Sequence, residues 1–181
     1  MVPHQLIGVW RRSGLIIDGA RQLDRCDVLW LQSADWYVDI RLPTSHAEPS
    51  PQGDVAIHFA RARAFAGIAS WQEPVLTWEH VVDVDEHPRT DSNPLEWTKD
   101  GVLERGVHRS QGRDVPWIEE WHRIDAAEPV VSVSADRRHV TMQAGDRAVD
   151  IRDERPTGRF VAVRRDLVDG CWRQMGEVAA G

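Results

Sequence analysis

Along most of the chain, apolar and polar residues alternate with a period of two in short runs broken by turn residues. That period is the mark of half-buried antiparallel strands rather than helices. Residues 6–13, 26–32 and 36–42 predict the first three strands, with Asp18-Gly19 as a turn and 33–35 as a tight connection. Residues 43–54, with three prolines and a glycine, predict a loop. Residues 55–65 fit either a short strand or a helical turn. Residues 65–72 and 75–84 predict a hairpin around Glu73-Pro74, and 87–94 read as a second polar loop. Residues 95–99 and 102–104 flank Asp100-Gly101, a hairpin signal. A long strand is expected over 117–124 and short ones over 130–133, 140–143 and 148–152. The last strand is expected over 160–165, and 167–175 suits a closing helical turn.

About ten short strands with no long amphipathic helix mean an all-β sandwich or barrel. Nothing in the composition marks a boundary, so residues 1–181 read as one domain. We expect a single antiparallel β-barrel of about eight to ten strands, because closure removes exposed edges and a barrel of that size leaves room for one small ligand.

Charge narrows the partners. The net charge is −7, with no concentrated basic face, which argues against nucleic acid. Lys99 is the only lysine, so nearly all positive charge is arginine, which tolerates burial when paired with a carboxylate. No run approaches about 18 apolar residues, so no membrane span is expected. No charged segment followed by an apolar run opens the chain, so the expected compartment is the cytoplasm. Cys26 and Cys171 lack metal or redox spacing, and nothing requires them to pair. The nine tryptophans stand against one tyrosine and three phenylalanines, enough indole to build a core or to wall a cavity.

Gly8-Val9-Trp10 opens the first strand, and Arg164 lies in the last, with Arg165 as the alternative if the register slips by one. This resembles the calycin superfamily, which includes lipocalins, fatty-acid-binding proteins and nitrobindins. The resemblance implies a lipocalin-like barrel with Trp10 across its closed end and the arginine over the indole, as structural residues. Trp36-Tyr37-Val38-Asp39-Ile40-Arg41, Ala64-Phe65-Ala66-Gly67, Thr77 to Asp83 and Glu119-Glu120-Trp121-His122-Arg123 resemble a family of bacterial and fungal Hri-type barrels. That likeness implies a calycin-like barrel with no well-established general activity. Val84 to Pro88 departs from its pattern. Haem is an analogy with nitrobindins, but the last strand carries no histidine, and no cofactor is expected.

Candidate chemistry follows from strand faces. Tyr37, Asp39 and Arg41 share one face of the third strand; Glu119, Trp121 and Arg123 share one face of the 117–124 strand with Trp117. Placed inward with Trp30, Gln32 and Trp78, they form a polar network under aromatic walls, as an orienting site requires. Placed outward, they are cross-strand charge pairs on a solvated face. His80 shares a face with Trp78, opposite Glu79 and Asp83, so its partner must come from another strand, with Glu120 or Tyr37 as candidates. The eight histidines form no metal motif, so no metal is expected. No nucleophile elbow, P-loop or dinucleotide fingerprint occurs.

The leading expectation is binding of a small hydrophobic or aromatic molecule in the lumen. The alternative is a cofactor-free isomerase or cyclase acting on a small natural product or aromatic metabolite in the same cavity, with Tyr37, Asp39, His80 and Glu119 as catalytic acid–base groups. In either case Trp30, Gln32, Arg41, Trp78, Trp121 and Arg123 are the ligand-binding set. A second alternative is a protein-interaction module using loops 43–54 and 86–94. The oligomeric state stays open, a dimer included.

Overall fold

The computed structural model describes residues 1–44, 53–85, 89–155 and 157–181. Nine strands form the first sheet: β1 (Gly8–Ile17), β2 (Ala20–Arg21), β3 (Cys26–Gln32), β4 (Trp36–Pro43), β5 (Arg63–Gln72), β6 (Val75–Asp83), β7 (Thr90–Trp97), β8 (Gly101–Ser110) and β9 (Arg113–Asp125). All pairings are antiparallel, and β9 returns to pair with β1. Eight strands therefore close a lipocalin-like barrel, and β2 extends the far end of β1 as an extra strand. Among the described residues, no helix is long and apolar enough to cross a membrane.

Tight turns set the strand lengths. Asp18-Gly19, Gln111-Gly112 and Asp169-Gly170 each place two successive residues at positive φ. That is the conformation whose twist matches the strands of a hairpin. Asp169-Gly170 thus turns the chain into an extended strand, where a closing helical turn was expected. The expected loop over 87–94 is corrected in the same way: from Thr90 onward it is β7, paired with β6 from Val75↔Pro94 to Glu79↔Thr90. Its polar residues alternate between half-buried Asp91 and Asn93 and exposed Thr90 and Ser92, which hides the period from a hydrophobicity reading. Of the ambiguous 55–65 segment, the first part completes helix α1 (Gly53–Ala60) and the rest opens β5. Most of the two loops offered as an interaction surface, at 45–52 and 86–88, lies outside the described residues.

The remaining strands form a second antiparallel sheet: β10 (Val130–Val133), β11 (His139–Ala144), β12 (Arg147–Asp153), β13 (Phe160–Val168) and β14 (Cys171–Ala180). The expected last strand of the barrel is therefore β13 of this sheet, and the barrel closes on β9. The second sheet packs on the outside of β3, β4 and β5. Val140, Met142, Val149, Ile151, Phe160, Ala162 and Val178 join Leu29, Leu31, Val38, Ile40, Ala64 and Ala66 in one apolar cluster. Full burial of each larger member removes about 2 kcal/mol of apolar exposure. β3 and β4 are consequently buried on both faces, one against the lumen and one against the second sheet.

The ends of the barrel differ. A 3-10 turn at His4–Leu6 and Val2 pack with Trp10 and Trp30 at one end. At the other, α1 lays Val55 and Phe59 against Leu15, Ile17 and Val115.

Candidate functional site

The floor of the lumen is aromatic. Trp10 stacks on Trp30 at 5.5 Å, and its indole N–H donates to Leu6 O at 2.8 Å. Gly8 has φ +138°, and a Cβ there would stand 2.4 Å from Asp125 O, so only glycine lets the first strand approach the last so closely. The cation over the Trp10 ring is Arg123 of β9, 5.8 Å from its centroid, which also donates to Gln5 O at 3.2 Å. This corrects two expectations. Arg123 is exposed beneath the floor and does not face the lumen. Arg164 never meets Trp10; it lies on β13 and pairs with Asp166 and, at 2.8 Å, with Asp27 of β3, joining the two sheets. Gln32 is likewise spent on structure: it accepts from Trp30 Nε1 and donates to Ser33 O and Trp36 O.

Above Trp30 lies a chamber of about 40 Å³, lined by Trp30, Tyr37, Asp39, Arg41, Phe65, Trp78, His80, Asp91, Glu104 and Trp121. Trp78 and Trp121 meet Trp30 edge-on at 6.0 and 5.5 Å. Through Arg41, Phe65, Asp91 and Glu104 the chamber continues into a vestibule of about 200 Å³. Phe59, Trp117, His58, Arg63, Arg89 and Glu119 complete the vestibule's principal walls. The inward reading of Tyr37, Asp39 and Arg41 is therefore the one the fold adopts. Their opposite face, Val38 and Ile40, is equally buried because the second sheet covers it.

Buried charge is organised on Glu119, which is 1% exposed. Arg12 and Arg41 both donate to its Oε1, the latter at 3.2 Å. Arg12 is further held by Asp24, and Arg41 by Asp39 at 2.9 Å. Burial opposes ionisation of Glu119, but the two guanidiniums outweigh it and hold its carboxyl below the usual range. At Asp39 burial prevails over Arg41 and pushes the carboxyl up.

Glu104 lies directly across the β8–β9 ladder from Glu119. Burial, then the charge of Glu119, pushes its carboxyl up to about 8. Its two oxygens accept from Asn93 Nδ2 at 2.8 Å and Trp121 Nε1 at 3.0 Å. The site thus holds a protonated and an ionised carboxyl side by side.

His80 owes its partner to a bulge. The β5–β6 register shifts between Ala66↔Val82 and Gly67↔His80, leaving Val81 unmatched. The extra residue returns Asp83 to the face of His80, where Oδ2 stands 2.6 Å from Nδ1. Asp83, expected on the opposite face, is thus a partner on the same strand, and the partner from another strand is Asp91 of β7 rather than Glu120 or Tyr37. Glu120 faces outward and pairs with Arg21. Gly67 makes the bulge fit, since a Cβ there would sit 1.8 Å from Glu79 O. Asp91 Oδ2 stands 3.2 Å from His80 Nε2. Burial disfavours the imidazolium, but the two carboxylates win and raise its pKa. The ring stacks on Phe65 at 4.4 Å.

Tyr37 Oη is buried in the chamber without a hydrogen-bond partner among the described residues, while His80 Nε2 meets Asp91 as an ion pair at 3.2 Å without the alignment of a hydrogen bond. Burial keeps the Tyr37 phenol protonated. Such orphaned groups cost free energy unless water or a ligand meets them. Among the described residues, no three His, Cys, Asp or Glu side chains are grouped to hold a metal ion.

Glu104, Asp91, Phe65 and Arg63 went unnoticed as site residues in the sequence, and Asp83 was set on the wrong face. Glu104 did carry a signal, since it alternates in phase with buried Val102, but a strand read as three residues is too short to show it. Comparisons with protein families, curated proteins and solved structures give no match to this chain.

Proposed function

We propose that the protein binds a small hydrophobic or aromatic molecule in the vestibule at the α1 end of the barrel, its polar substituent entering the chamber. The observation that carries this reading is the pairing of indole walls with a buried phenol, Tyr37 Oη, that has no hydrogen-bond partner among the described residues, beside the His80 ring. Apolar walls orient a ring, and a few fixed donors and acceptors select what it carries. The chamber admits little more than a polar substituent, so the ring lies in the vestibule between Phe59, Phe65 and Trp117. Kinship with the calycin barrels belongs to the same proposal, supported by Gly8-Val9-Trp10 and by the Arg123 guanidinium over that indole from the last barrel strand.

The test is titration with phenol and with toluene, read on the indole N–H resonances of Trp78 and Trp121. Phenol should shift both saturably, and Tyr37→Phe should weaken phenol several-fold while leaving toluene unchanged. If neither compound moves an indole resonance at its solubility limit, the reading fails.

A second reading, acid–base catalysis in the same cavity, rests on Glu104 and Glu119. Two carboxyls whose environments drive their pKa values apart supply a proton donor and an acceptor at one pH. A turnover assay would then show a rate that falls as pH rises through about 8, with the fall removed in Glu104→Gln.

A further inference from the structure

Among the described residues, three arginines of the vestibule rim share one carboxylate. Arg61, Arg63 and Arg89 all converge on one carboxylate oxygen, Asp85 Oδ2, at 2.7, 3.3 and 3.5 Å. Arg61 and Arg89 are partly solvated, and the charges of Asp83 and Asp91 also reach the cluster, but among the described residues Asp85 is the one carboxylate in direct contact with all three guanidiniums. Arg63 is the most deeply placed, only 3% exposed, and its Nε–H is buried without a partner among the described residues. Its Nη1 faces the neutral His58 ring at 3.3 Å rather than an acid. Burial and the charge of Arg63 hold the His58 pKa down to about 3, so His58 adds no positive charge and offers Arg63 no anion.

Among the described residues, the acids that line the vestibule make their direct contacts with other groups, although the charge of Asp91 is felt by Arg89 and Arg63. Glu119 serves Arg12 and Arg41, Asp91 stands beside His80, and Glu104 is held protonated. A buried guanidinium with an unmet N–H and a third share of one carboxylate calls for a second anion. Arginine's planar fork suits a planar oxyanion best.

We propose that Arg63 and Arg89 form a carboxylate subsite, so the ligand is a small aromatic carboxylate. The inference rests on the lumen reading above and names its ligand class. The geometry sets the length. The Phe65 ring stands 4.4 Å from the His80 ring and 5.2 Å from the Arg63 guanidinium. The chamber pole and the anion pole are therefore separated by no more than the span of one substituted ring. A hydroxyl at one end of the ring meets Tyr37 and His80; a carboxylate at the other meets Arg63 and Arg89.

The experiment compares 4-hydroxybenzoate with 4-hydroxybenzamide, matched in shape and differing in charge, by calorimetry and by the indole resonances. The benzoate should bind about tenfold more tightly, the worth of one charge-assisted hydrogen bond. Arg89→Gln, a change at a half-exposed side chain, should remove most of that preference and leave the amide unchanged. Arg63→Gln should do the same, provided its circular dichroism and urea midpoint show a folded chain; Arg89→Gln decides the matter if it does not. Equal affinity for acid and amide overturns the carboxylate subsite while the lumen reading stands. A preference that survives Arg89→Gln overturns it as well, as does tighter binding of 4-hydroxyphenyl phosphate, which would assign the rim to phosphate. Failure of every ring compound to bind overturns both readings.

Discussion

Glu104→Gln isolates one buried proton. In the folded protein the Glu104 carboxyl ionises at about 8, against an ordinary value of 4.5. Between those values the folded chain holds a proton that the unfolded chain has released. Stability therefore falls as pH rises across that window, by about 1.4 kcal/mol per pH unit for one proton. Glutamine cannot ionise, so the variant lacks this slope. It also offers one acceptor oxygen where Asn93 and Trp121 present two donors, a loss of about 1 kcal/mol that does not vary with pH. Other groups titrate in both proteins and cancel in the difference. Urea unfolding of the two chains at pH 5, 6, 7 and 8 is the assay. The wild-type advantage should shrink steadily over that range, and a further point at pH 9 should show it levelling off above about 8. With Glu119→Gln in both backgrounds, levelling should come at lower pH, because the charge of Glu119 is the second cause of the shift. Parallel stability curves for wild type and Glu104→Gln would refute the assignment.

Asp83→Asn should lower the His80 pKa, followed by imidazole NMR. The raised value gives stability that is complete below 6.5 and lost as pH rises through the folded pKa, and the variant should lose less over that rise. Gly67→Ala should cost more than about 2 kcal/mol in urea unfolding, because its Cβ meets the Glu79 carbonyl rather than a movable side chain. Arg123→Ala should shift the Trp10 indole resonance at a cost of about 1 kcal/mol. Arg164→Ala should leave that resonance in place yet cost about 2 kcal/mol, since it leaves buried Asp166 with only Arg147 among the described residues and unlinks the sheets at Asp27.

Much of the candidate site was visible in the alternation of side chains. Tyr37, Asp39 and Arg41 share a face because they stand two residues apart, and Trp78 and His80 do so for the same reason. Which face was inner stayed open because Val38 and Ile40 are buried too, against a sheet that begins ninety residues later in the chain. The partner of His80 was hidden by a single inserted residue. Val81 reverses the parity of β6, and no local signal marks it beyond a glycine on the neighbouring strand. Asp91 was lost because β7 alternates polar against polar, one row half-buried and one exposed.

By itself the sequence determined that the chain is all-β, where most strands lie, that an antiparallel lipocalin-like barrel is the architecture, and that arginine and tryptophan share its faces. Period and turn chemistry are local, acting over a few residues, and are written in the order of the chain. Tertiary structure alone decided that β9 rather than β13 closes the barrel, that Arg123 rather than Arg164 covers Trp10, and that Arg61, Arg63 and Arg89 meet at one carboxylate oxygen. These depend on which strands pair and on where bulges fall. Both are settled by burial and charge compensation between residues far apart in sequence, which no local pattern records.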